Sequence, residues 1–421
     1  MSEGFDVRGR ALQAGELAAW LAEHSLGNRF GLAVAGGSPG RGSRAQAVAI
    51  VAADGDGRYI DTAALTPDDE GALASWLADP GPPKALHDAK SAMHDLAGCG
   101  WTLRGVTSDP MLAGHLLRPG QRNLGLNDLL IHHMRCALPT EAFDTNHISE
   151  EMTAKALILR ACAVLDLADV LDEELARIDS SFLLGRLVLP MQRVLAQMET
   201  VGIAVDCEAL AHAPQDDVTK GLLGSIDGDG RVHAKFRQCA TASGRLASTG
   251  PNLHAIPVGH AARDAFVSGP AYAGLMVARY DGLNEQVAVE LPDRRGLVEE
   301  ARKLGYASTL LGRRRYLPDL GSADREARAA AERAAVGFAI EGGAADIVNA
   351  ALIDVDTAVK AIGMRSRLVL QVDDGLVFEV AEGERDALAE LVREQLGDAS
   401  PLGAPLDVSI GHGASWGAAS G

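Results

Sequence analysis

The stretch RLVLQVDDGLVFEV, Arg367–Val380, sets two apolar runs, Leu368–Val372 and Leu376–Val380, either side of Asp373-Asp374-Gly375. This pattern predicts a β-hairpin with carboxylates at its tip. On these residues alone two readings stand. An Asp held at the end of a buried hairpin can ligate a catalytic divalent metal. Equally, Asp374-Gly375 can be a turn pair, chosen because both residues tolerate positive φ.

Working outward, the chain of 421 residues is long enough for two or three domains. Its composition is that of a soluble globular protein, with no long apolar run and no basic-apolar-small leader, which points to the cytoplasm. Cys99, Cys136, Cys162, Cys207 and Cys239 are scattered without C-x-x-C spacing, so they read as reduced thiols and form neither a zinc site nor a disulfide framework. The net charge of −18 argues against a generic nucleic-acid binder, because phosphate affinity comes largely from Lys and Arg. A local basic groove can still exist on an acidic protein.

Residues 1 to about 180 read as α/β. Phe30–Ala35, Gln46–Ala52, Arg58–Thr62 and Lys84–Leu86 are strand-like. Glu70–Leu77, Ala89–Leu96, Pro110–Leu117 and the long Ala154–Arg177 have helical spacing. Gly36–Arg44 is a polar loop without the lysine of a phosphate loop. Asp179-Ser180-Ser181 reads as a helix N-cap before Phe182–Thr200. Further on, a strand is expected at Gly230–Phe236, two helices at Asp324–Gly337 and Ala344–Ile362, a helix over Glu382–Glu394 and a closing strand at Leu406–Ile410. The tail Gly411–Gly421 is expected to fray.

Four stretches, in order, carry a resemblance: TASGRLASTGPNLHAIPV (Thr241–Val258), GYASTLLGRRRYLPDL (Gly305–Leu320), AERAAVGFAIEGGAADIVNAALIDVD (Ala331–Asp356) and the hairpin. Together they resemble the palm of bacterial family A DNA polymerases, the DNA polymerase I type. The Ala/Gly/Arg-rich, Lys-poor vocabulary resembles that of an actinobacterial protein. The resemblance implies a ribonuclease H-like 3′–5′ exonuclease-like α/β domain over 1–180, then an α+β palm over 181–421 whose antiparallel sheet is backed by helices. It also implies a thumb reduced to about residues 200–225 and fingers deleted at about 290–304.

What the resemblance implies for chemistry is mixed. Asp374 falls at a metal-ligand position and is the expected catalytic and Mg²⁺-binding residue. In LMVARYDGLNEQVAVEL (Leu275–Leu291), Arg279 falls where the family's second metal-binding Asp stands. Arg cannot ligate Mg²⁺, which demands oxygen. Asp281, two residues on, is the possible substitute carboxylate, displaced by roughly 6–7 Å along a strand; as Asp281-Gly282 it also reads as a surface turn. Arg245, Asn252 and Arg333 match positions that touch DNA, and Arg313-Arg314-Arg315 form a local basic cluster that can hold phosphates or stand as a solvated face. In the first domain, the acids needed for proofreading are replaced: the first strand reads GLAVAGG, Ala92 stands at an Asp position, and AKALILRAC lacks an acid. Asp88 and Asp95 lie about one turn either side of Ala92, and His87 and His94 read as surface or core histidines.

The expected function is that of a polymerase I-like protein with weak or no polymerase activity and no proofreading. Its implied partners are primer–template DNA, bound weakly, and deoxynucleoside triphosphates, whose site lacks the fingers wall; no membrane partner is expected. One alternative is an active DNA-directed polymerase using Asp374 and the displaced Asp281. A second is a non-catalytic scaffold or interaction protein.

Overall fold

A computed structural model describes residues 8–25, 27–36, 42–121, 123–139, 150–214, 216–398 and 406–420. The expected loop Gly36–Arg44 lies mostly outside them. The chain divides into two compact units, Met1–Leu117 with Gln121–Ala196, and Arg118–Gly120 with Gln197–Gly421.

The first unit is built on a six-stranded mixed sheet. Its strands are β1 (Arg8–Ala11), β2 (Phe30–Gly36), β3 (Ala45–Val51), β4 (Asp56–Asp61), β5 (Lys84–Leu86) and β6 (Val106–Ser108), in the order β1-β4-β3-β2-β5-β6. β2, β3 and β4 run antiparallel, and β1, β5 and β6 join in parallel. Alternation along β2 sends Phe30 and Leu32 into a cluster with Trp20, Ile50, Leu73 and Trp76. The other face packs Ala47, Ala49 and Val51 against Leu157, Ile158 and Ala161 of the helix Glu150–Arg177. Gly31 sits beneath that helix. A Cβ there would lie 2.2 Å from the carbonyl oxygen of Ala161, so the bare backbone lets the helix lie directly on the strand.

Two expectations in this unit are corrected. Asp88, placed by its spacing one helical turn before Ala92, lies outside the helix. It adopts φ 56° and caps the helix Ala89–Ala97, accepting from the Ser91 N–H, and Ser91 Oγ donates to it at 2.7 Å. Ser180 is the N-cap residue of the helical run that follows, but its hydroxyl donates back to the Ile178 carbonyl instead of capping.

The second unit carries short strands β7 (Ile203–Val205), β8 (Arg231–Val232), β9 (Lys235–Arg237), β10 (Ala247–Thr249) and β11 (Phe266–Val267). Then come β12 (Gly274–Tyr280), the small hairpin β13 (Tyr306–Ser308) and β14 (Arg314–Tyr316), and finally β15 (Arg367–Val372), β16 (Gly375–Val380) and β17 (Val408–Gly413). The main sheet is antiparallel in the order β15-β16-β12-β17. The strand expected at Gly230–Phe236 is instead split by His233 and Ala234 into β8 and β9. β8 pairs with β7 and β9 with β10, outside the main sheet.

The two helices expected between residues 324 and 362 are one helix of 37 residues, Arg325–Ala361, capped by Asp324. Gly342 and Gly343 do not break it because they are buried contact points: a Cβ on Gly342 would meet Thr309 Cγ2 at 2.7 Å. By length and composition this helix is apolar enough to cross a membrane, contrary to the reading that no such run exists. However, 67% of its most apolar window is buried inside the protein, as in the core helix of a globular domain. The tail does not fray over its described part. β17 extends to Gly413, and Trp416, 2% exposed, stacks edge-on with Phe266.

Candidate functional site

The hairpin forms where its two apolar runs place it. Val372 pairs with Gly375 and leaves Asp373-Asp374 as a two-residue turn. The positive φ falls on Asp373, at 53°, so the turn pair is Asp373-Asp374 and Gly375 belongs to β16. Gly375 serves a different purpose. It lies opposite Arg279 on β12, and a Cβ at 375 would stand 2.9 Å from Arg279 Cγ. The glycine therefore makes room for the arginine to cross the strand, and Arg279 Nη2 donates to the Ser420 carbonyl at 3.2 Å.

Asp374 is half-buried beside this arginine. Burial pushes its carboxyl above the usual range, while Arg279 and Arg245 pull it back. Arg245 is exposed on a turn that three contacts hold. Thr241 Oγ1 donates to the Arg245 carbonyl at 2.8 Å, Asn349 Nδ2 donates to the Gly244 carbonyl at 3.0 Å, and Gly244, at φ 83°, leaves space for the Arg313 guanidinium. Arg245, Thr241, His254, Asn284, Gln371 and Asp374 are among the residues lining one cleft of about 410 Å³. His254 meets Ser248 Oγ at 2.8 Å, and burial holds its imidazole below the usual range against the pull of Asp373. Gln371 donates to the Asp373 carbonyl at 2.6 Å and so braces the turn.

The other expected residues scatter. Asp281 accepts from Ser409 Oγ at the exposed end of β12 and from there continues into the Gly282 turn, as its surface-turn reading has it. Arg313 is not part of a solvated basic face. It is 3% exposed and forms an ion pair with Asp346 at 2.7 Å, and Asp346 also accepts from Thr309. That correction follows from Asp346 being fully buried: an unpaired carboxylate there would be costly, and the nearest guanidinium is drawn in. Arg314 stacks over Tyr306 at 4.5 Å, and Arg315 is half-buried on the same short strand. Asn252 is exposed and accepts from Ser248 Oγ at 3.4 Å, and Arg333 is exposed on the long helix. Among the described residues, no group of three or more His, Cys, Asp or Glu side chains is placed to hold a metal ion.

Sequence reasoning passed over Thr241, His254, Asp346, Asn349 and Gln371. A signal existed for some of them. Asp346 and Asn349 are polar residues three apart in an otherwise apolar helical run, and both are buried, which marks polar partners inside the protein. Gln371 is a polar residue within an apolar strand, two positions before the turn.

Comparison with known proteins completes the picture. A model of DNA polymerase family A matches residues 193–298 and 293–418. DNA polymerase I of Mycobacterium tuberculosis is 39% identical over 593 aligned positions, which cover 100% of this chain and 66% of that protein. DNA polymerase I of Mycobacterium leprae is 38% identical over 597 positions, again 100% of this chain and 66% of the relative. The chain thus spans about two thirds of the length of these relatives, and alignments of this length against 421 residues mean that the relatives carry segments with no counterpart here. A solved structure described as the POL domain of Pol1 from M. smegmatis in complex with DNA primer-template and dNTP superposes with a TM-score of 0.91 at 41% identity, covering 98% of this chain and 100% of that one.

Proposed function

The chain belongs to DNA polymerase family A, and from that premise we propose that it is a reduced member that engages primer–template DNA but performs template-directed synthesis weakly or not at all. Family A polymerases use divalent metal ions, and the fit of this site to such ions carries the reading. The register of β12 against β16 sets Arg279 opposite Gly375, beside Asp374. A positive guanidinium thus stands where oxygen ligands are required, and Asp374 has no carboxylate partner across the strand. Asp281 is held by Ser409, which weakens the alternative of a displaced ligand. A single metal-binding Asp does not make a two-metal centre, so no nucleotidyl-transfer step is assigned.

The surrounding elements support the same reading. Between the helices Leu283–Glu290 and Arg294–Leu304 only three residues intervene, where fingers would be inserted. The thumb region amounts to two short helices, Cys207–His212 and Asp217–Leu223. A triphosphate would lack much of the charge neutralisation that phosphoryl transfer depends on. For the first unit, the strand order with three antiparallel strands flanked by parallel ones supports an exonuclease-like scaffold. No acid stands on its first sheet-centre strand, and Asp88 is committed to a cap. A cytoplasmic location fits this reading.

The test is primer extension on a primed DNA template with Mg²⁺ and then Mn²⁺, beside Asp374→Ala. No extension is expected above the Asp374→Ala background. Extension that vanishes in that variant would overturn the proposal and establish a working site around Asp374.

A further inference from the structure

The hairpin tip is braced from outside its own strands. We propose that Ser248, His254 and Gln371 form a hydrogen-bond relay that positions the Asp373-Asp374 turn, with His254 as its neutral Nε2–H tautomer donating to Gln371 Oε1. The relay is a property of the free protein, so it goes beyond the reading above and stands or falls separately from it.

The relay starts at Ser248 on β10, which is 1% exposed. A hydroxyl has one proton and two acceptor lone pairs. Ser248 Oγ accepts from the Leu253 N–H at 2.8 Å and from the His254 N–H at 3.3 Å, which fills both lone pairs. Its proton has two acceptors within reach, His254 Nδ1 at 2.8 Å and Asn252 Oδ1 at 3.4 Å, and the shorter contact takes it. His254 Nδ1 is therefore an acceptor. In a neutral imidazole the proton then sits on Nε2.

The far end is Gln371, buried on β15. Its amide nitrogen donates to the Asp373 carbonyl at 2.6 Å, which fixes the amide's orientation and turns Oε1 the other way. His254 Nε2 and Gln371 Oε1 are both buried, and neither has a hydrogen-bond partner elsewhere. Both side chains line the tip cleft. Burial holds the imidazole below its usual range, while Asp373 and an acceptor contact with Gln371 pull the other way. One orphan is a donor and the other an acceptor. Buried polar atoms are paired almost throughout folded proteins, so this complementarity marks the missing bond. Phe236 stands edge-on to the imidazole at 6.3 Å and restricts its plane. His254 is thus a positioning residue. It acts through Gln371 and sets how the turn presents Asp374 to the cleft.

The experiment has two readouts on the full chain. Long-range proton–nitrogen correlation of the histidine rings, at a pH of about 7.5 where an ordinary imidazole is neutral, reads the tautomer. The His254 signals are those missing in His254→Gln. The Nε2–H form is expected, and the Nδ1–H form overturns the proposal. Amide hydrogen exchange at Gly375 and Leu376, the pairs that close the hairpin, reads the positioning. His254→Phe is expected to speed exchange about tenfold, the order of one lost hydrogen bond. His254→Gln keeps an N–H donor for Gln371 and is expected to return exchange to within about twofold of wild type. In a Gln371→Leu background exchange is already fast, and adding His254→Phe changes nothing further. Unchanged exchange in His254→Phe, no rescue by His254→Gln, or an added effect without Gln371 overturns the proposal. Thermal unfolding of each variant shows that it is folded. If His254→Phe does not fold, the wild-type tautomer and Gln371→Leu decide, and unchanged exchange in Gln371→Leu overturns the proposal.

Discussion

At the scale of single residues, charge is assigned by burial. Arg313, Arg314 and Arg315 are adjacent and chemically identical, yet only Arg313 faces the fully buried Asp346. Arg313→Ala would leave that carboxylate unpaired and should cost about 3–5 kcal/mol. Arg314→Ala and Arg315→Ala should cost about 1 kcal/mol or less. Chemical denaturation of the three variants checks this, and equal losses would contradict it. Asp109 gives a pH signature. It is fully buried and accepts from the N–H groups of Asp88, Ala89 and Met111 and from Gln192. Burial nonetheless pushes its carboxyl up to about 6. The folded state then holds a proton that the unfolded chain has released, so this group favours folding below about pH 4 and that contribution disappears as pH rises through 6. His87, which burial pushes down to about 4, acts in the opposite sense, its contribution being lost as pH falls from about 6.5. The stability difference between wild type and Asp109→Asn should therefore change by on the order of 2–3 kcal/mol between pH 4 and 6 and be flat above about 7. A difference that is flat throughout would show that Asp109 titrates at its ordinary value.

At the scale of elements, close approach decides where helices sit. The helix Glu150–Arg177 rests on β2 because Gly31 presents no side chain. Gly31→Ala would bring a Cβ within 2.2 Å of a backbone carbonyl and 2.8 Å of Leu165 Cβ, neither of which can swing aside. The helix must lift, at a cost of about 1–3 kcal/mol. Gly71→Ala, where nothing lies within 4 Å of the added carbon, serves as the control and should be neutral or slightly stabilising. Melting temperatures of the two variants separate the outcomes. The same logic explains why Arg325–Ala361 is continuous. A Gly-Gly pair reads as a break when only propensity is counted, but Gly342 and Gly343 pack against Thr309 and Val287, and that packing holds the helix through them.

At the scale of the whole molecule, the proposed reduction takes a different form in each unit. On that proposal the first unit is a scaffold, its sheet and layered core carrying apolar residues at the positions where the resemblance calls for acids. Incubation with 3′-mismatched, end-labelled DNA and Mg²⁺ should leave the primer at full length over times in which a proofreading enzyme would shorten it. Shortening would assign a nuclease site to acids outside the replaced positions, such as Asp95. The second unit holds the antiparallel sheet and the long helix, and on the same proposal it has little of the thumb and fingers that would enclose a duplex and a nucleotide.

Local pattern was enough for much of this. The two apolar runs of Arg367–Val380 determined the hairpin, the four ordered stretches determined the family, and helical spacing determined Ala89–Leu96 and Ala154–Arg177 to within a few residues. These features depend on neighbours along the chain. Tertiary structure alone decided that Arg313 is buried while Arg314 and Arg315 are half-buried, that Asp281 turns to Ser409, and that Arg279 occupies the space left by Gly375. It also decided that the tail is anchored by Trp416 and that Asp88 is a cap. In each case the partner is distant in sequence or the backbone takes a left-handed turn that several residues tolerate. Electrostatics and packing then act through distances that no periodicity records.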